Sequence, residues 1–285
     1  MGPQQGPPDA QQGLAAQAPA WLARWELVPD GHPVVTAGSW LLPVLRAGRP
    51  AMLKITEAAE ERRGAALLAW WAGDGAARVL ARDGGRCCWE RAASPGSLAA
   101  MARHGADDAA TRILCGAAAR LHAPRPGAPP ALVPLDIWFA ALGPAAAIQG
   151  GWLRAAAAAG TALLAAPHEP VPLHGDLHHG NLLDFGPRGW LAIDPKGLLG
   201  ERGFDYANLF CNPDLADPLP PVATLPDRFA RRVAIVAATA RLDRGRLLRW
   251  ILAWTGLSAA WHLAEGEAPA PLAAIAALAE AALAA

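Results

Sequence analysis

The sequence predicts an α+β chain of two lobes, a small β-rich lobe followed by a larger helical one, and three observations lead there. Residues 33–93 alternate short runs of β-forming residues with turn signals. Beyond residue 94 the chain is Ala- and Leu-rich at helical spacing, and β character returns only at 182–194. With 285 residues and 53% hydrophobic content the chain can bury a substantial core, and a small sheet next to a helical lobe implies a cleft between them.

The first stretch, MGPQQGPPDAQQGLAAQAP, is rich in Gln, Pro and Gly and has neither a basic n-region nor an apolar h-region. Residues 1–19 are therefore expected to be a disordered tail rather than a secretory signal, and the lack of Ser or Thr at position 6 excludes the myristoylation pattern. The β-rich N-lobe is assigned to residues 20–92. Within it HPVVTAGSWLLPVLRAGRPAMLKIT carries strands punctuated at Ala37-Gly38-Ser39 and Arg46-Ala47-Gly48-Arg49. EAAEERRGAALLAWWAG then places Leu67, Leu68 and Trp71 at helical spacing behind an acidic first turn. Two more strands, ARVLARD and RCCWERA, flank the hairpin signal Asp83-Gly84-Gly85. The helical C-lobe, 93–285, reads as helices near 96–105, 107–123, 133–148, 152–166, 227–241, 244–264 and 268–284.

Lys+Arg and Asp+Glu balance at 25 each, so the totals favour neither nucleic acid nor a membrane surface as partner, and a small molecule is the expected ligand. Cys87, Cys88, Cys115 and Cys211 have no CxxC spacing and read as reduced core thiols. The apolar runs are too short or interrupted to span a bilayer. These features predict a soluble cytoplasmic protein with no obligate protein partner.

The stretch HGDLHHGNLLDFGPRGWLAIDPKG, 174–197, holds two candidates for one task. Asp184-Phe185-Gly186 has the letters of the kinase metal motif. If 182–194 is a hairpin turning at Gly186-Pro187-Arg188-Gly189, however, Phe185 pairs with Trp190 and Asn181 faces Asp194. Opposed residues have Cβ atoms about 4.5–5.5 Å apart and can share a cation. Asp184 lies three residues past Asn181, on the other face and roughly 10 Å along the strand. Asp194 is thus the better metal ligand. The register argument fails with a one-residue slip, but the spacing Asp176-x-x-x-x-Asn181 independently matches a kinase catalytic loop. Asp176 is assigned as the base that accepts a hydroxyl proton, and Asn181 and Asp194 as Mg²⁺ ligands for phosphoryl transfer from a nucleotide.

Phosphates need a cation as well. Lys54, on a predicted strand in AMLKIT, fits that role, with Glu60 or Glu61 at the start of the next helix as its partner. Ala37-Gly38-Ser39 is a poor glycine-rich loop. His174, His178 and His179 match no compact zinc spacing, and His174 is expected to orient the catalytic loop.

The block LHGDLHHGNLLDFGPRGWLAIDPKGLLGERGFDYANLFCNP closely resembles the aminoglycoside and hydroxyurea resistance kinases, a family that includes streptomycin 6-phosphotransferases, and shorter segments extend the resemblance over about 25–265. The resemblance implies a protein-kinase-like two-lobe fold, ATP and Mg²⁺ as cofactors, and inactivation of a streptomycin-type aminoglycoside, or of hydroxyurea, by O-phosphorylation. It implies the same roles for Asp176, Asn181, Asp194 and Lys54, with Glu61 among the candidate nucleotide-side residues. Glu90-Arg91-Ala92 corresponds to the hinge whose backbone meets adenine, with Glu90 and Ala92 as contacts. Asp205 corresponds to the aspartate that braces the catalytic loop. Asp136 and Trp138 are candidate acceptor contacts. The alternatives are a metabolic small-molecule kinase of the same fold and a catalytically silent nucleotide-binding protein.

Overall fold

The computed structural model describes residues 8–36, 38–92, 94–268 and 270–285. Contacts divide the chain into two compact units. The first holds residues through Gly96 together with 126–131 and 183–197; the second holds 97–125, 132–182 and 198–285. The first unit thus runs a few residues past the expected lobe boundary at 92/93, and most of the hairpin assigned to the C-lobe packs within it.

Of the expected disordered tail, residues 1–7 lie outside the described residues, but Pro8–Ala15 forms a helix, α1, and Ala18–Arg24 a second, α2. Strands β1 (Leu27–Pro29), β2 (Val34–Val35), β3 (Ser39–Arg46) and β4 (Arg49–Thr56) follow, then helix α3 (Ala59–Trp71) and strands β5 (Val79–Asp83) and β6 (Arg86–Glu90). They form one antiparallel sheet in the order β1-β3-β4-β6-β5, with β2 on β3. Alternation decides its faces: Ala51, Leu53 and Ile55 of β4 join Leu42, Val44 and Cys88 in a core that also takes in Leu14 and Ala18, so α1 and α2 contribute to the sheet's packing. Burying a side chain such as Leu14 contributes about 2 kcal/mol, which outweighs the weak helical preference of a Gln- and Pro-rich segment. Lys54 lies between Leu53 and Ile55 and therefore points from the opposite face.

The second unit begins with α4 (Leu98–Met101), which runs through a π-type turn into α5 (Asp107–His122). Then come β7 (Val133–Pro134), the short helix α6 (Leu135–Trp138), α7 (Leu142–Gln149), α8 (Gly151–Ala165) and β8 (Pro170–Leu173). A hairpin of β9 (Leu182–Asp184) and β10 (Trp190–Ala192) precedes β11 (Leu198–Glu201), α9 (Gly203–Ala207), α10 (Pro226–Ala240), α11 (Arg244–Ala264) and α12 (Ala270–Ala284). The expectation that no β structure accompanies the helices outside 182–194 is corrected: β11 pairs parallel with β7 and antiparallel with β8. Strands of two to four residues are too short to show a period of two.

Helix α11 is buried from Leu247 to Ala260 except at Arg249, as expected of a helix apolar on every side. A Cβ on Gly256 would lie 2.4 Å from the Ala156 methyl of α8, so only glycine permits that approach. Arg232 of α10 reaches Asp107 of α5, both essentially sealed from solvent, and also donates to the Leu209 and Asn212 carbonyls at 2.9 and 2.7 Å. All four cysteines are free and buried. Among the described residues no helix is long and apolar enough to cross a membrane.

Candidate active site

The site residues form two clusters, one in each unit. In the first, Lys54 on β4 is paired with Glu61 of α3 and lies 2.6 Å from Asp194 Oδ1. The ambiguity between the two glutamates is thereby resolved: Glu61 takes Lys54, while Glu60 lies 3.4 Å from Lys196 Nζ, which is in turn 3.5 Å from Asp194 Oδ2. Residues one apart on a helix differ by about 100° in direction, which sends the two carboxylates to different lysines. Burial alone would lower the ammonium pKa of Lys54, but the charges and hydrogen bonds of Asp194 and Glu61 outweigh it and raise the pKa, so Lys54 stays charged. Lys196 escaped the sequence reading. Its signal was its place two residues after Asp194.

Asp194 has φ +58°, in the left-handed region, which an Asp tolerates at a cost of roughly 1–2 kcal/mol. The next residue packs tightly on α3: a Cβ on Gly64 would come within 1.8 Å of Pro195 O. Glu61 and Gly64 are one turn apart, so a single helix face both pairs with Lys54 and receives the segment carrying Asp194.

The hairpin register differs from that expected. Phe185 N–H donates to Gly189 O at 2.9 Å, and the connection is a tight 3₁₀ turn over Gly186–Arg188 closed by Gly189, one residue shorter than the four-residue turn assumed. Direct opposition of Asn181 and Asp194 therefore does not follow from the ladder. Asp194 lies two residues beyond β10 and is aimed by its φ rather than by strand alternation. Asp184 is engaged elsewhere: its Oδ1 accepts from Gly186 N–H at 2.8 Å and its Oδ2 from Ser94 Oγ at 2.5 Å. It caps the turn.

At the hinge segment, the Glu90 carboxylate is held by Arg188 and by Arg78 N–H at 2.6 Å, and Glu90 N–H donates to Arg78 O at 3.0 Å. Arg91 N–H bonds Pro50 O at 3.1 Å. The β5–β6 pairing thus runs on to this point and engages the Glu90 carboxylate and the N–H groups of Glu90 and Arg91, while Ala92 is half-buried. Ala37, of the expected phosphate-covering turn, lies outside the described residues.

In the second unit Asp176 and Asn181 come together. Asn181 Nδ2 donates to Asp176 O at 2.9 Å and to Asp176 Oδ2 at 3.1 Å. Asp176 Oδ1 accepts from Asn208 Nδ2 at 2.7 Å, with His178 Nε2 at 3.8 Å. Asp205 sits under the loop, receiving the N–H groups of His174 and Gly175 at 2.8 and 2.7 Å and bonding His122 Nε2 at 2.8 Å. Burial pushes the Asp205 carboxyl up. The bond and charge of His122, the His174 ring and Gly175 N–H pull harder, holding it below its ordinary value. His174 also accepts from Asp176 N–H at 3.2 Å, tying the ring to the loop it belongs to. Trp138 packs edge-on against Trp261 with ring centroids 5.4 Å apart, and Asp136 is exposed.

Each cluster offers oxygen donors of the kind a hard cation takes. Asn181 uses its NH₂ group on Asp176, which leaves its Oδ1 for an ion; in the first unit, Asp194 carries carboxylate oxygens beside Lys54 and Lys196.

The family model for aminoglycoside/hydroxyurea antibiotic resistance kinases matches residues 24–266. The chain belongs to this family. A streptomycin 3″-kinase of Klebsiella pneumoniae is 56% identical over 86% of this chain and 92% of its own length. A streptomycin 6-kinase of Streptomyces griseus is 33% identical over 89% of this chain and 84% of its own. The fold of this resistance kinase is protein-kinase-like: it matches the crystal structure of the aminoglycoside phosphotransferase APH(4)-Ia with a TM-score of 0.64 at 13% identity, covering 93% of this chain and 98% of that one. Phosphotransfer to an alcohol group, the enzyme class read from the motifs, agrees with membership in a family of resistance kinases.

Proposed function

We propose that this kinase transfers the γ-phosphoryl group of ATP to a hydroxyl of streptomycin, the 3″-hydroxyl in particular, and so inactivates the antibiotic in the cytoplasm. The observation that carries the acceptor is the 56% identity to a streptomycin 3″-kinase across 92% of that relative, against 33% to the 6-kinase. The chemistry rests on a carboxylate, Asp176, held by two side-chain amides in a loop of catalytic spacing. Asp176 accepts the proton of the acceptor hydroxyl as its oxygen attacks phosphorus, and ADP leaves. Lys54, kept charged by Glu61 and Asp194, binds the nucleotide phosphates. Asn181 and Asp194 would hold Mg²⁺, which when bound supplies neutralisation of phosphate charge. The backbone of the hinge segment Glu90-Arg91-Ala92 meets adenine, with Glu90 and Ala92 as the contacts.

Mass spectrometry of streptomycin incubated with the protein, ATP and Mg²⁺ tests the reading, with nuclear magnetic resonance to locate the phosphate. One added phosphoryl group at the 3″ position is expected. Turnover of an ordinary sugar or amino alcohol with none on streptomycin would overturn it. Asp176→Asn should lower kcat by about 10²–10⁴-fold while ATP still binds; an unchanged kcat refutes the assignment of the base.

A further inference from the structure

Asp176 is held on both of its oxygens, and only one of the holders belongs to the loop. Asn181 serves Oδ2. The donor to Oδ1, Asn208, is 32 residues further on, in the short 3₁₀ turn after α9. We propose that Asn208 is a positioning residue for phosphoryl transfer, fixing the plane of the Asp176 carboxylate, and that Asn212 dictates which way the Asn208 amide points. The inference rests on Asp176 as the base.

The terminal torsion of an aspartate is broad and two-fold, so a carboxylate held at one oxygen still swings. Bonds at 2.7 and 3.1 Å on different oxygens remove that freedom. The second donor must present NH₂ rather than oxygen, and an asparagine can flip. Here it is prevented from doing so. Asn212 Nδ2 donates to Asn208 Oδ1 at 2.9 Å and to Asn208 O at 3.2 Å, so a flipped Asn208 would set NH₂ against NH₂ on one side and oxygen against carboxylate on the other. Both amides are buried, at 2% and 4% exposure, where such mismatches are not relieved by water. Asn212 is itself anchored, because its carbonyl accepts from Arg232, and Arg232 is clamped by Asp107. A buried chain of Asp107, Arg232, Asn212 and Asn208 thus ends on the reacting carboxylate. An amide donor orients that carboxylate without setting a full positive charge against it.

The role predicts a split that space-filling would not give. Asn208→Ala should lower kcat for streptomycin, and for the slow transfer from ATP to water, by about 10–100-fold, leaving KM for ATP within about twofold. Asn208→Asp keeps the shape but faces Asp176 with a second carboxylate, and should be worse than Asn208→Ala. Asn212→Asp leaves both touching residues intact, yet draws the Asn208 NH₂ away from Asp176 and should lower kcat in the same way. Thermal unfolding and ATP binding within the native range show that each variant is folded. An Asn208→Asp enzyme as active as native, or loss of kcat and ATP affinity in step across the three variants, overturns the inference. If Asp176→Asn is inactive in that case, the base assignment survives; full activity of Asp176→Asn overturns both.

Discussion

Replacing Arg232 with methionine removes a guanidinium that five hydrogen bonds hold in place. Three go to Asp107, at 2.6 to 3.1 Å, and two to the Leu209 and Asn212 carbonyls. Methionine fills much of the volume but leaves Asp107, which is 0% exposed, as a buried carboxylate without its cation. Breaking a buried pair from one side costs about 3–5 kcal/mol. Each orphaned carbonyl adds up to about 1 kcal/mol. A loss near 5 kcal/mol is therefore expected, which for a unit of this size lowers Tm by about 10–20 °C. Urea unfolding followed by circular dichroism measures it. The double variant Asp107→Leu/Arg232→Met should recover most of the loss, since it removes both charges together. A single-variant loss below about 1 kcal/mol, or a double variant no better than Arg232→Met, would refute the reasoning that the cost lies in the stranded carboxylate.

Other expectations follow from the same contacts. Lys54→Met should lower kcat/KM for ATP by about 10²–10³-fold, read by steady-state kinetics, because it removes a charge that both Glu61 and Asp194 stabilise. Gly64→Ala places a methyl within 1.8 Å of Pro195 O, so the helix and the Asp194 segment must separate; about 1–3 kcal/mol of stability and about 10²-fold in kcat should be lost, measured by thermal unfolding and turnover. Asp205 has a folded pKa below its ordinary 3.8, so its contribution to stability is present above about pH 4 and is lost as pH falls through the folded value. Asp205→Asn should be less stable at pH 7 by about 1–3 kcal/mol, and its acid-unfolding curve should be flatter below pH 4 than that of the native protein.

The parts of the site that were legible in the sequence are those whose geometry is local. Asp176 and Asn181 share one loop, so five residues of spacing suffice to bring amide and carboxylate together. Lys54 was legible because a lone lysine in an apolar strand, followed by an acidic helix start, is itself a local pattern. Pairing of Glu61 rather than Glu60 with Lys54 depends on the rotation of α3 against β4, which no spacing fixes. The register of the β9–β10 hairpin depends on whether Gly189 closes a three- or four-residue connection, and Gly186-Pro187-Arg188-Gly189 suits either. Asn208 and Asn212 look like ordinary turn residues in FDYANLFCN, and their relation to Asp176 exists only once α9 is packed. The major helices were legible nearly to the residue because their apolar faces repeat over three or more turns, as in Arg244–Ala264.

The family match starts at residue 24, yet Leu14 and Ala18 belong to the same core as Leu53 and Ile55 of β4. The limit of recognisable kinship is therefore not the limit of cooperative folding. A protease cut after Arg24 would leave every motif untouched while uncovering apolar area on the sheet whose other face presents Lys54, and such a shortened enzyme should self-associate and lose ATP affinity before any catalytic residue is altered.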